Sequence, residues 1–248
     1  METAMQNAST STQAIGDYQP RRVFHAMRKL IADPTETAHV FTIIEALGGS
    51  APMRVHKRFT SEAGGRRLLA SRPNLITYLA DRATLEALPE DTLGRAYLRF
   101  VDREGITPDG LVEASIDGET GRWRSFGDEI AWITNRLRDS HDLWHVVTGY
   151  GGDVLGETAL LGFSSAQTTN PGVALMALAA TLRSFSGDVA RRVVAAFGAG
   201  RRAQWMVALE WEQLLAMPLA ELRSQLHVTP VAPYVRMRPD WKREAVAA

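Results

Sequence analysis

The stretch HDLWHVVTGYGGDVLGE, residues 141–157, holds His141 and His145 four positions apart, Asp142 between them, and Glu157 after eleven intervening residues. Residues 126–148 carry helical periodicity up to GYGG, where Gly149, Gly151 and Gly152 interrupt it. A turn there lets the chain double back, so that Glu157, early in the next helix, faces the histidine pair across a helix interface. The stretch therefore reads as two neighbouring helices, from which the remainder of the fold is read outward.

Periodicity with turn residues between segments predicts further helices over residues 21–32, 52–62, 74–87, 91–104, 126–148, 153–168, 172–197 with a break near Ser186-Gly187, and 201–225. DPTETAHVFTIIEALGGS, residues 33–50, adds a marked one: Asp33 caps, Pro34 suits the first helical position, Glu36 completes a capping box, and Gly48-Gly49 end the helix. GLVEASIDGETGRWRSFG, residues 110–127, alone hints at extended structure, as a loop or short hairpin. Neither a βαβ alternation nor a fixed-period repeat is present. The expected fold is all-α: a polar, flexible tail over residues 1–20, then one multi-helix domain over 21–248 with a hydrophobic pocket or tunnel.

Apolar residues make up 45% and charged residues 23% of the 248, with 28 basic against 28 acidic side chains, a balance that disfavours a general nucleic-acid binder. Basic pairs such as Arg21-Arg22, Arg66-Arg67 and Arg191-Arg192 are interleaved with acids and read as solvated helix faces in preference to a lipid-headgroup patch. The absence of cysteine excludes disulfides, thiolate metal sites and a cysteine nucleophile. The first twenty residues lack the apolar core of a secretory signal, and the longest apolar run, GVALMALAATL at 172–182, falls far short of the ~20 residues that span a bilayer. The expected location is cytoplasmic.

On a helix advancing ~100° per residue, His145 lies at ~40° and Asp142 at ~100° from His141, so three candidate ligands share one side. With no thiolate on offer, imidazole nitrogens and carboxylate oxygens suit zinc, iron(II) or manganese, and histidines at i and i+4 close on one ion without distorting the backbone. Chance H-x-x-x-H matches are common, and packed histidines or local His-Asp hydrogen bonds explain such a segment without metal. The other histidines, His25, His39, His56 and His227, have no carboxylate at ligand spacing. Arg138 and Asp139 could orient a ligand histidine or equally form a salt bridge on the helix surface. Trp144 reads as core, and the 172–182 helix as core packing before tunnel wall.

HDLWH, eleven residues and then Glu157 resemble the H-D-x-x-H-x11-E signature of the coenzyme Q (ubiquinone) biosynthesis protein 4 family. RKLIADPTETAHVFTIIEALGG, PEDTLGRAYLRFVDREGITPDGL and TNPGVALMALAATLRS are similar to that family's pattern in the same order, so the resemblance covers roughly residues 21–226. It implies a helical protein that holds a divalent metal, mostly zinc, through His141, Asp142, His145 and Glu157. It further implies removal of the carboxyl group at ring carbon 1 of a polyprenyl-hydroxybenzoate, with or without hydroxylation of that carbon. A pocket for the isoprenoid tail of a prenylated hydroxybenzoate or quinone lipid, other ubiquinone-biosynthesis proteins as partners, and peripheral attachment to a membrane surface, the inner face of the cytoplasmic membrane, belong to the same expectation; a homo-oligomer, a dimer, is expected beside it.

Two other functions stand beside it. A lipid-binding scaffold with a structural metal suits a four-ligand zinc, because structural zinc is usually closed whereas catalytic zinc keeps an open position. A metal hydrolase suits the pattern less well, since Asp142 is a poorer counterpart of the glutamate base in H-E-x-x-H.

Overall fold

The computed structural model describes residues 18–32, 38–107, 126–184 and 186–236. Every regular element among them is helical, and an isolated bridge between Thr92 and Pro218 is the nearest approach to a strand. The first half contains α1 (Pro20–Ala32), α2 (Ala38–Leu47), α3 (Ala51–Ser61), α4 (Ala63–Ser71), α5 (Leu75–Ala80), α6 (Arg82–Glu86) and α7 (Leu93–Glu104). The second contains α8 (Asp128–Asp139), α9 (His141–Thr148), α10 (Val154–Thr168), α11 (Pro171–Ser184) and α12 (Gly187–Arg202). A 3-10 turn at Met206–Ala208, then α13 (Trp211–Leu214) and α14 (Leu219–Gln225), complete the set. The chain thus adopts the all-α class expected of it. The capping box at 33–36 and the extended candidate at 110–125 lie outside the described residues.

Local chemistry places the boundaries. The Thr92 hydroxyl accepts from Arg95 N–H to open α7, and Gly105, at φ 67°, closes it by donating to the Val101 carbonyl. Asp81 splits the helix expected over 74–87, because its carboxylate accepts from Thr84 N–H and starts α6 immediately after α5. The helix expected over 126–148 divides at Ser140, whose N–H donates to Arg136 O at 3.0 Å while its own carbonyl accepts from Trp144 N–H. Residues 201–225 depart furthest from expectation. There the buried Gln167 side chain receives Met206 N–H at 2.8 Å and donates to Gly200 O at 2.7 Å, holding an irregular chain in place of a helix.

The main core contains Phe59, Tyr97, Phe100, Leu143, Trp144, Phe163 and Trp211, drawn from α3, α7, α9, α10 and α13. A smaller cluster of Ala26, Ile43 and Met176 joins α1, α2 and α11. α10 and α12 pack most closely where side chains are smallest: a Cβ on Gly162 would stand 2.7 Å from Val193 O, and one on Gly200 2.6 Å from Phe163 O. Arg136 forms two hydrogen bonds to Glu212, at 2.7 and 2.8 Å, with both side chains under one-tenth exposed. That pair ties α8 to α13. None of the described helices is long and apolar enough to cross a membrane.

Candidate metal centre

α9 is short because Gly149 adopts the left-handed conformation, φ 80°, and returns its N–H to His145 O at 2.8 Å. Arg223 of α14 satisfies two more carbonyls at this end, donating to Val146 O at 2.8 Å and Val147 O at 2.9 Å. The chain reverses through Tyr150, Gly151 and Gly152, and Asp153 opens α10 by accepting from Leu155 N–H at 3.2 Å. Glu157 therefore sits in the first turn of α10, facing α9.

Three of the four residues singled out by the sequence converge. Ligand atoms of His141, His145 and Glu157 lie within 4.8 Å of one another. His141 Nε2 is 3.6 Å from Glu157 Oε2, and His145 Nε2 is 3.3 Å from Glu157 Oε1. Donors arranged tetrahedrally at ~2.1 Å from one ion stand ~3.4 Å apart, so these separations suit a first-row divalent cation. Asp142 points elsewhere: its Oδ1 lies 3.2 Å from His141 Nδ1, behind the ring.

The environment of each ligand differs. The His145 side chain is 0% exposed; it stacks on Phe100 at 5.1 Å between ring centroids, and its Nδ1 lies 3.2 Å from Tyr150 O. That carbonyl can only accept, so Nδ1 donates to it and Nε2 faces the cluster. Nε2 makes no hydrogen bond, a costly state for a buried nitrogen that a metal would relieve. His141 is 34% and Glu157 46% exposed, so the cluster is sealed behind His145 and open in front.

Electrostatics couples the three. Burial alone would lower the basicity of His141, but hydrogen bonds to Asp142 and Glu157, together with their charges, outweigh it and raise the pKa to about 10. Desolvation pushes the Glu157 carboxyl up, yet the His145 and His141 rings prevail and hold it well below the usual carboxylate range.

A cavity of about 200 Å³ begins at His141 and runs between α2, α3, α8, α10 and α11, with Ile44, Val55, Trp144, Leu161 and Val173 in its walls. Arg138 also lines it, paired with Asp139 through Nε at 2.8 Å. The two residues do pair, but with side chains only 15% and 12% exposed the pair is not the surface salt bridge expected of them. Burial pushes the Asp139 carboxyl up against the pull of Arg138. Trp144 is buried edge-on to Phe163, as its core reading requires. His56, which has no carboxylate near it in sequence, meets Glu129 at 2.6 Å, away from the cluster.

Several contributors had no sequence signal. Phe100 and the Tyr150 carbonyl orient His145, and the segment 228–236 crosses the turn between α9 and α10. Val231 N–H donates to Thr148 O at 2.9 Å, Gly151 N–H to the Tyr234 hydroxyl at 2.9 Å, and that hydroxyl to Asp153 Oδ2 at 2.8 Å. Burial, then Asp153, pushes the Tyr234 phenol up to about 12. Arg236 bridges Asp153, at 3.4 Å, and both oxygens of Glu104, at 2.6 Å.

Comparison with known proteins adds a lineage. The chain is 29% identical over 206 residues to the mitochondrial ubiquinone biosynthesis protein COQ4 homolog of Danio rerio, covering 80% of this chain and 72% of that one. It is 32% identical over 203 residues to the mitochondrial ubiquinone biosynthesis protein coq4 of Aspergillus clavatus, covering 77% and 67%. A crystal structure of a protein from Nostoc punctiforme shares the fold, with a TM-score of 0.62 and 21% identity over 85% of this chain and 98% of that one. The curated relatives are named as mitochondrial, which overturns the expectation of a cytoplasmic protein at the inner face of the cytoplasmic membrane. The sequence features that suggested it, an unremarkable start and no spanning segment, carry no information on compartment. The family model for the coenzyme Q (ubiquinone) biosynthesis protein Coq4 matches residues 22–232, most of the chain, and the protein therefore belongs to that family, which serves ubiquinone biosynthesis.

Proposed function

We propose that the protein is a metal-dependent enzyme that removes the C1 carboxyl group of a polyprenyl-hydroxybenzoate, with His141, His145 and Glu157 holding a divalent cation, zinc or else iron(II) or manganese. One observation carries this reading: His141 belongs both to a three-ligand cluster with an unsatisfied buried nitrogen and to the wall of a largely apolar cavity. A ligand histidine that faces an apolar chamber suits a substrate with an ionic head and a hydrocarbon tail. Asp142 is read as the group that orients His141 through Nδ1.

A bound cation would supply Lewis acidity to a carboxylate or phenolate oxygen and, if it is iron or manganese, an electron-transfer route. The chain's own part is placement and exclusion. His145, locked by Phe100 and Tyr150 O, fixes the rear of the site. The cavity walls keep water from the ring, and Arg138 supplies a positive charge close to where a carboxylate head would lie. In the simple reaction the ring carbon gains a proton as the C–C bond breaks, carbon dioxide leaves and the bonding pair stays with the ring. Hydroxylation at the same carbon is a two-electron oxidation: carbon dioxide leaves, water supplies the new hydroxyl oxygen, and dioxygen is the candidate acceptor, reduced to hydrogen peroxide.

At about 200 Å³ the cavity falls below the ~300–1,000 Å³ common for ligand pockets, so it suits the aromatic head and the first part of a tail. The remainder would leave along α11 and α1, where Leu178, Leu182 and Phe24 are exposed, consistent with a peripheral lipid surface and with partners that handle the same lipid.

The test combines metal content with turnover. Wild type, Glu157→Ala and His145→Ala are purified without chelator, analysed by inductively coupled plasma mass spectrometry, and given a short-tailed prenyl-hydroxybenzoate under air. Near-stoichiometric metal and carbon dioxide release in the wild type, both lost in the variants, are expected. A wild type that binds metal and lipid without releasing carbon dioxide, alone or with its partner proteins, would overturn the enzyme reading in favour of a scaffold.

A further inference from the structure

We infer that Tyr234 is a positioning residue for the metal cluster, and that the segment 228–236 is a strap that sets the distance between Glu157 and His145. The inference rests on reading His141, His145 and Glu157 as metal ligands and goes beyond it, because it assigns to residues far along the chain the task of keeping that cluster in register.

His145 and Glu157 both hang from the same five-residue turn, residues 149–153. His145 takes its ring orientation from Tyr150 O, and Glu157 N–H donates to Asp153 O at 2.8 Å in the opening bond of α10. Yet the turn contains Gly149, Gly151 and Gly152, which stiffen nothing by themselves. Its stiffness comes from outside. The Tyr234 hydroxyl accepts from Gly151 N–H and donates to Asp153 Oδ2, bridging the turn's middle to the cap of α10 with one oxygen. Val231 pins the end of α9 through Thr148 O, and Arg236 ties Asp153 to Glu104 of α7, the helix whose Phe100 stacks on His145.

Space at the contact is already spent. A Cβ on Gly156, the residue before Glu157, would stand 2.0 Å from Gly151 O and 2.6 Å from the Tyr234 hydroxyl. The first turn of α10 therefore rests directly on the turn and the strap, and a displacement of either is transmitted to Glu157 without slack.

The experiment uses the full chain loaded with Zn²⁺, and separately with Co²⁺ as a spectroscopic probe. Tyr234→Phe removes the bridging oxygen and little volume. Two hydrogen bonds of ordinary strength are lost, so release of Zn²⁺ to a chromogenic chelator is expected to quicken about tenfold, with an altered Co²⁺ d–d spectrum. Asp81→Ala, which removes the cap of α6, serves as the control for general loosening and should leave release rate and spectrum unchanged. If Tyr234→Phe does not fold, Arg236→Gln, which loosens the same strap from its exposed side, is read in its place with a smaller effect in the same direction. Release and spectrum equal to wild type, or an equal acceleration in Asp81→Ala, would overturn the inference and leave the metal reading intact. A wild type that takes up neither ion would overturn both.

Discussion

Filling the cluster should expel one proton, and the count can be measured. With its pKa raised to about 10, the His141 ring is a cation at pH 7.0 in the metal-free protein, whereas a histidine nitrogen ligates only when neutral. Solvent reaches the exposed third of the ring and screens its partners. Even half of that rise leaves the ring about 95% protonated at pH 7.0, so the expected release stays close to one proton per site. Calorimetric titration with Zn²⁺ in buffers of different ionisation enthalpy gives the number as the slope of observed heat against buffer heat. A slope near one is expected at pH 7.0, falling towards zero above pH 10, with apparent affinity rising about tenfold per pH unit between. In Asp142→Asn, which removes one of the anions that raise the pKa, the fall should come at lower pH. A slope near zero for the wild type at pH 7.0 would refute the electrostatic account of His141. The sign has a counterpart in stability. A folded-state pKa above the unfolded ~6.5 contributes stability fully present below about pH 6.5 and lost as pH rises through about 10, so the metal-free protein should melt at lower temperature at pH 10 than at pH 7.

Two further predictions concern the frame. Arg136→Met leaves the buried Glu212 carboxylate unpaired and should cost about 3–5 kcal/mol, lowering Tm by roughly 10 °C in a thermal melt, while Arg136→Met with Glu212→Leu should recover most of it. Gly156→Ala should abolish metal retention by driving a methyl group into Gly151 O, whereas Gly198→Ala, which meets only the flexible end of Arg202 in mid-α12, should raise stability by about 0.5–1 kcal/mol with metal content unchanged.

What the sequence makes legible follows from the range of the forces involved. The i, i+4 spacing of His141 and His145 and the glycine turn before Glu157 are local, and they suffice to predict that these three side chains converge across a helix pair. The break at Ser140 has no glycine or proline to announce it, and it starts a fresh helix at His141 instead of continuing one from residue 126. Asp142 was grouped with the ligands by helical angle, but its carboxylate turns back to the adjacent ring, a choice made within one turn of helix that periodicity does not resolve. Residues 201–225 are dense enough in apolar side chains to pass for a helix, and the buried Gln167, some forty residues earlier, imposes another path. HVTPVAPYVR, residues 227–236, has Pro230 and Pro233 against helix and no periodicity that marks it for a role. Its importance lies in contacts with residues about eighty positions away, which no local pattern encodes.

The unequal exposure of the cluster has a consequence for traffic. His141 fronts an apolar chamber, Glu157 fronts water, and His145 closes the rear, so the three side chains stand along a seam between two solvents. A small polar reactant such as water or a proton donor could arrive from the wet side while a greasy molecule occupied the dry one. Neither would have to pass the other, and a long hydrocarbon chain would never have to be drawn through water to bring its head group to the histidines.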